Sequence, residues 1–304
     1  MPAIQAIFFD LGDTLVKISY ATLAKICRKI NADGGISLSM DEYTIAFHDE
    51  WKKKSGSSET KLVKGIRKDI AEESERRYWQ SFFTSLLPSL GVTSNQPKLI
   101  EWLIDIYTAP QSFVCFDDVY PVLSELKRKG FTLGIISNAF PSADKILDHF
   151  NLRQYFKYTF LSYEMPYAKP ESGIYQYVAE KANMPIESIV FVDDRWNFVK
   201  SAQDARMNAW LLERIQEKRT KVNTHSFVQK IKNLHELVEE IEKNPSSEVD
   251  LHTKQEASFN SIDVNQDFCE LPPRQSSIPL TGGDQTWQEQ INKINRISSI
   301  YEFS

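Results

Sequence analysis

The stretch AIFFDLGDTL, residues 6–15, decides how this chain is read. Its first four residues are an apolar run too short for a helix and without polar alternation. That suits a strand buried on both faces of a parallel sheet. The strand delivers Asp10 into a turn that contains Gly12, Asp13 and Thr14. Similar runs recur at LGIIS (133–137), YTFLS (158–162), SIVFV (188–192) and AWLL (209–212). Segments with helical spacing separate them at 117–130, 142–151, 171–183 and 197–206. In the first of these, Val119, Val122, Leu123 and Leu126 form an apolar stripe and Gly130 stands as the closing cap. Regular alternation of strand and helix predicts a doubly wound α/β fold around a parallel sheet.

One interval breaks the alternation. Between residues 17 and 112 the sequence offers no strand, only helical patterns such as YATLAKICRKI, MDEYTIAFHDEW, SERRYWQSFFTSLL and PKLIEWLIDIY. The expected organisation is therefore a core of residues 1–16 and 113–243 with an all-helical cap, 17–112, inserted after the first strand. A closing amphipathic helix is expected over 224–242. From 244 to 304 the chain turns rich in Ser, Gln, Asn and Asp, and is expected to be a disordered tail that could contact a protein partner.

Bulk properties narrow the function classes. With 41% hydrophobic and 25% charged residues the chain can bury a core and stay soluble. No stretch approaches the ~20 apolar residues of a membrane span, and the N-terminus does not read as a signal peptide. Three scattered cysteines (Cys27, Cys115, Cys269) lack metal-like spacing and point to a reducing, cytoplasmic setting. A formal charge of −5 gives no global attraction for nucleic acid or an anionic membrane.

Four polar elements follow predicted strands: Asp10, Ser137-Asn138, Lys169 before Pro170, and Asp193-Asp194. Strand C-termini are where open α/β sheets bind ligands. The set suits phosphoryl transfer, with Asp10 attacking phosphorus as a carboxylate nucleophile. A carboxylate approaching a phosphate dianion is repelled, so cations are needed. Mg²⁺ on Asp10, the Gly12 carbonyl and the 193–194 pair would supply one, and the Lys169 ammonium another. Ser137, Asn138 and the Thr14 hydroxyl are candidate contacts to a small phosphorylated metabolite.

In their order and spacing, FFDLGDTL, IISN, AKPESGIY and FVDDRWNFVKSA resemble the motifs of the haloacid dehalogenase superfamily, subfamily I, which carries a helical cap between its first two motifs. The resemblance spans about residues 4–242. It implies a Rossmann-like core, Mg²⁺ and hydrolysis of a small phosphate ester. It also implies Asp194 as the direct metal ligand, with Asp193 in support.

Two departures matter. Phosphatases of the family carry a second aspartate two residues after the nucleophile, as general acid and base. Here Gly12 stands there and an acid comes one residue later, at Asp13. Three routes stay open: Asp13 reaches round, water or a cap residue assists, or hydrolysis is crippled and the protein binds a phosphorylated ligand. Dehalogenases of the family place an aromatic residue at the Gly12 position, and Gly12 with the paired acids argues against that chemistry. Asn197 falls one residue short of the usual asparagine. The basic stretch 51–69 reads as a solvated cap segment. His48 and Trp51 read as structural cap residues, and Tyr78, Trp79, Phe82 and Phe83 as cap core.

Overall fold

The computed structural model describes residues 3–55, 68–214 and 228–243. The tail 244–304 and most of the basic stretch lie outside the described residues. A six-stranded, wholly parallel sheet forms the core, in the order β5-β4-β1-β6-β7-β8. Its strands are β1 (Ala6–Phe9), β4 (Thr132–Ser137), β5 (Tyr158–Leu161), β6 (Ile189–Asp193), β7 (Asn208–Leu212) and β8 (Gln229–Ile231). The fold is the Rossmann-like α/β class with a helical insertion.

Side chains leave a strand on alternate faces, so each apolar run feeds two cores. From β1, Ile7 and Phe9 join one cluster, where α5 (Val119–Arg128), α6 (Ser142–His149) and α9 (Leu234–Lys243) pack. Ala6 and Phe8 join the other, with α7 (Ser172–Ala182) and α8 (Trp196–Asp204). This double burial explains why the runs show no polar alternation. Gly130, at φ 87°, ends the α5 segment: its N–H and that of Phe131 bond the carbonyls of Lys127 and Leu126, closing a Schellman motif.

Chain order fixes where a ligand can sit. After β1 the chain builds β4 and β5 on one side, then returns to lay β6 against the other side of β1. The direction of building reverses at β1, and such reversals open a crevice at the strand C-termini. Asp10 and Asp193 stand there, one residue beyond the register pair Phe9–Val192.

The insertion begins and ends in an antiparallel ribbon of β2 (Val16–Ile18) and β3 (Phe113–Cys115), two strands that their length hid from sequence reading. Between them run α1 (Tyr20–Gly34), α2 (Met40–Ser55), α3 (Lys68–Ser89) and α4 (Gln96–Thr108). Ser39 and Glu42 form a reciprocal capping box at the start of α2. Phe82, Phe83, Leu86, Leu99 and Leu103 are fully buried in a cluster of the cap's own. The helix expected over 224–242 is corrected: α9 starts at Leu234, and Gln229–Ile231 is the edge strand β8. Three residues are too few for a period to distinguish a strand from a helix. Among the described residues no helix is long and apolar enough to cross a membrane.

Gly134 in β4 lies under the ring of Phe8. A Cβ there would stand 2.1 Å from Phe8 Cε1, and Phe8 is fully buried. Gly134→Ala should therefore cost about 1–3 kcal/mol of overpacking, read as a lower urea midpoint in equilibrium unfolding.

Candidate active site

Lys169 follows the β5 segment and reaches beneath the crevice. Its Nζ lies 2.6 Å from Asp10 Oδ1 and 2.6 Å from Asp193 Oδ2, with the lysine side chain 1% exposed. Phe198 and Phe191 present ring faces at 4.8 and 5.2 Å. Burial alone would lower the lysine pKa, but the two carboxylates override it and hold the ammonium charged. The other oxygen of Asp193 accepts the Arg195 N–H at 2.8 Å. Asp193 is fully buried, so both its oxygens serve internal partners and neither faces the crevice.

Asp194 is half-buried and Asp13 is exposed. Burial, then the charges of Asp193, Asp13 and Asp10, push the Asp194 carboxyl well above its ordinary range, against Arg195. Asp193 is raised to about 6, first by burial, against the pull of Lys169. Asp13 is also raised by burial and by Asp10, while His48, Lys17 and Arg195 pull it down. Asp13, Asp193 and Asp194 thus crowd around Asp10, and burial with their mutual charge raises the proton affinity of these three.

That crowding suits a divalent cation. Among the described residues no three acidic, histidine or cysteine side chains converge on one metal position. Mg²⁺ keeps several waters and accepts one or two carboxylates. Asp10, Asp194 and the Gly12 carbonyl would be the donors for such an ion, while Asp193 is engaged by Lys169.

The remaining predicted residues take varied places. Ser137 ends β4 and is buried. Asn138, expected on the substrate, has both ends of its carboxamide engaged by the Lys169 backbone: it accepts from Lys169 N at 2.8 Å and donates to Lys169 O at 2.7 Å. It positions the lysine. Thr14 is fully buried with its hydroxyl unpartnered, while its carbonyl accepts from Arg214 at 2.6 Å. His48, read as a structural cap residue, carries the largest opposing charge acting on Asp13.

The family model of the haloacid dehalogenase-like hydrolases matches residues 4–206. The chain belongs to that family. As a haloacid dehalogenase-like hydrolase it is 23% identical over 197 residues, 64% of the chain, to the zebrafish (Danio rerio) haloacid dehalogenase-like hydrolase domain-containing protein 3, of which the match spans 78%. It is 31% identical over 101 residues, 33% of the chain, to a phosphatase of Mycobacterium tuberculosis, spanning 46% of that protein. A solved dehalogenase with 16% identity shares the fold at a TM-score of 0.61, over 80% of this chain and all of that one.

The hydrolase cap docks beside the second motif. Glu75 of α3, 5% exposed, accepts hydrogen bonds from the Ser142 N–H and hydroxyl at the start of α6. Tyr78 meets Phe140 at 4.8 Å between ring centroids. Sequence reading missed Glu75, because its partner is 67 residues away and no local pattern marks it. Burial raises the Glu75 carboxyl above its ordinary 4.5. The folded state then holds a proton that the unfolded chain releases, so this group's contribution is greatest below pH 4.5 and falls as pH rises through the raised value. The stability of wild type relative to Glu75→Gln should accordingly decline from acid toward neutral pH, measured as the difference in urea midpoints across that range.

Proposed function

We propose that the protein hydrolyses a small phosphomonoester in two steps, through a phosphoryl group carried on Asp10, with Mg²⁺. The single observation that carries this reading is the buried Lys169 ammonium held between Asp10 and Asp193. It sets a permanent positive charge against the carboxylate that must approach a phosphate dianion. The phosphatase relative supports the reading. Mg²⁺, when bound, supplies further charge compensation for the phosphoryl oxygens.

In the first step Asp10 attacks phosphorus and the bond to the leaving oxygen breaks. Asp13 would protonate that oxygen; the reading is supported by its exposure, by the Asp10 charge acting on it and by a carboxyl raised above its ordinary range. In the second step water attacks phosphorus, returns a proton to the Asp13 carboxylate and frees Asp10 with release of inorganic phosphate. Dehalogenation fits less well, because Gly12 offers no aromatic side chain and the Asp193-Asp194 pair would have no use.

Gly12 also favours a second reading, in which the fold binds a phosphorylated ligand with little turnover. Mg²⁺-dependent phosphate release from an aryl phosphate separates the two: Asp10→Asn should abolish it, whereas equal rates for both proteins would sink the enzyme reading. Asp13 lies in the left-handed region at φ 55°, which asparagine tolerates, so Asp13→Asn changes the acid without changing the turn. It should slow turnover by about 10²–10⁴-fold. A Cβ at Gly12 would meet nothing within 4 Å, so Gly12→Asp fits the turn without crowding. Added to Asp13→Asn, it should restore part of the lost rate.

A further inference from the structure

Behind the crevice lies a second buried ion pair that the proposed chemistry does not use. Arg214, just beyond β7, donates from Nη1 to Asp118 Oδ2 at 2.8 Å and from Nη2 to the Thr14 carbonyl at 2.6 Å. Its guanidinium lies 3.8 Å from the centroid of the Phe116 ring. Asp118 Oδ2 also accepts the Leu234 N–H at 2.8 Å, at the start of α9. The arginine and aspartate side chains are 13% and 9% exposed. One guanidinium therefore ties the turn after the nucleophile to the starts of α5 and α9 and to the end of β7.

Stability alone accounts poorly for this arrangement. Thr14 Oγ1, Asp118 Oδ1 and Arg214 Nε are buried side-chain polar atoms without a hydrogen-bond partner among the described residues. A buried ion pair with unmet hydrogen bonds is seldom better than apolar packing, whereas such a pair can fix one geometry among several. The turn needs that fixing. It carries Asp13 in the left-handed region and is closed by Asp13 N–H to Val16 O at 2.7 Å and Leu15 N–H to Leu11 O at 2.9 Å. Arg214 holds the carbonyl of Thr14, the residue next to Asp13.

We propose that Arg214, supported by Asp118, is a positioning residue that holds the Asp10–Thr14 turn in its working conformation. Its effect on rate rests on the phosphatase reading, but its effect on the turn does not. A lysine keeps the charge and cannot bridge two acceptors in a fixed plane, so Arg214→Lys isolates the geometry. Full-length wild type and variant are compared by amide hydrogen exchange, by kcat and KM for an aryl phosphate with Mg²⁺, and by thermal unfolding. Expected are faster exchange confined to residues 11–16 and a kcat lower by about 10–100-fold with KM little changed. A lower Tm with uniformly faster exchange and unchanged kcat would overturn the proposal and leave a merely structural pair. Wild type without phosphatase activity would remove the phosphatase reading, and the exchange at 11–16 would then decide the positioning role alone. Should Arg214→Lys not fold, Asp118→Asn, which keeps an acceptor for Leu234, is read by the same three measurements.

Discussion

The buried Lys169 ammonium, 2.6 Å from each of two carboxylates, is the constraint around which the molecule is arranged. An isolated charge in that position would be expelled or neutralised, because burial without compensation is far too costly. Asp10 and Asp193 make it tolerable, and they come from neighbouring strands whose registers end together beside the reversal point of the sheet. Asn138 grips the backbone of Lys169 from a third strand end. Removing water from the ammonium also strengthens its field in the crevice, so the group that is hardest to bury is most effective once buried. Asp13 and Asp194 add further acidic groups beside this pair, and both are raised above the ordinary carboxyl range.

Much of this was legible in the sequence because the sheet is parallel and covered on both faces. Strands of that kind read as unbroken apolar runs, and the five long ones were found at nearly their observed bounds. Their polar successors marked the site. What stayed hidden had no local signature. The strands β2, β3 and β8 hold three residues each, fewer than any periodicity needs. Glu75 and Arg214 meet partners 67 and 200 residues distant, so nothing near either in the chain announces it. The sequence placed Asn138 correctly at a strand end but could not say that Lys169 would occupy its carboxamide.

Among the described residues the cap meets the core through contacts of different character. At its base the β2–β3 ribbon carries the chain out and back through three paired residues. Above the crevice, Glu75 caps α6 and Phe140 enters the cap's aromatic cluster against Tyr78. Both upper contacts fall on the loop that follows Ser137 and Asn138. A carboxylate at a helix N-terminus is favoured by the unpaired N–H groups there, yet burial works against its charge.

The turn at Gly12–Thr14 shows how little of a catalytic arrangement resides in residue identity. Where phosphatases of the family carry an acid, this chain has Gly12, and an acid follows one residue later at Asp13. In the structure Asp13 sits in the left-handed region, where the chain changes direction sharply and a side chain emerges toward a different side than from an extended neighbour. Whether an acid one residue late can serve depends on that local geometry. In the proposed positioning role, that geometry in turn depends on the Thr14 carbonyl held by Arg214. Replacing a missing side chain at position 12 therefore addresses only half of the problem: the acid must exist, and the turn that aims it must be held in place.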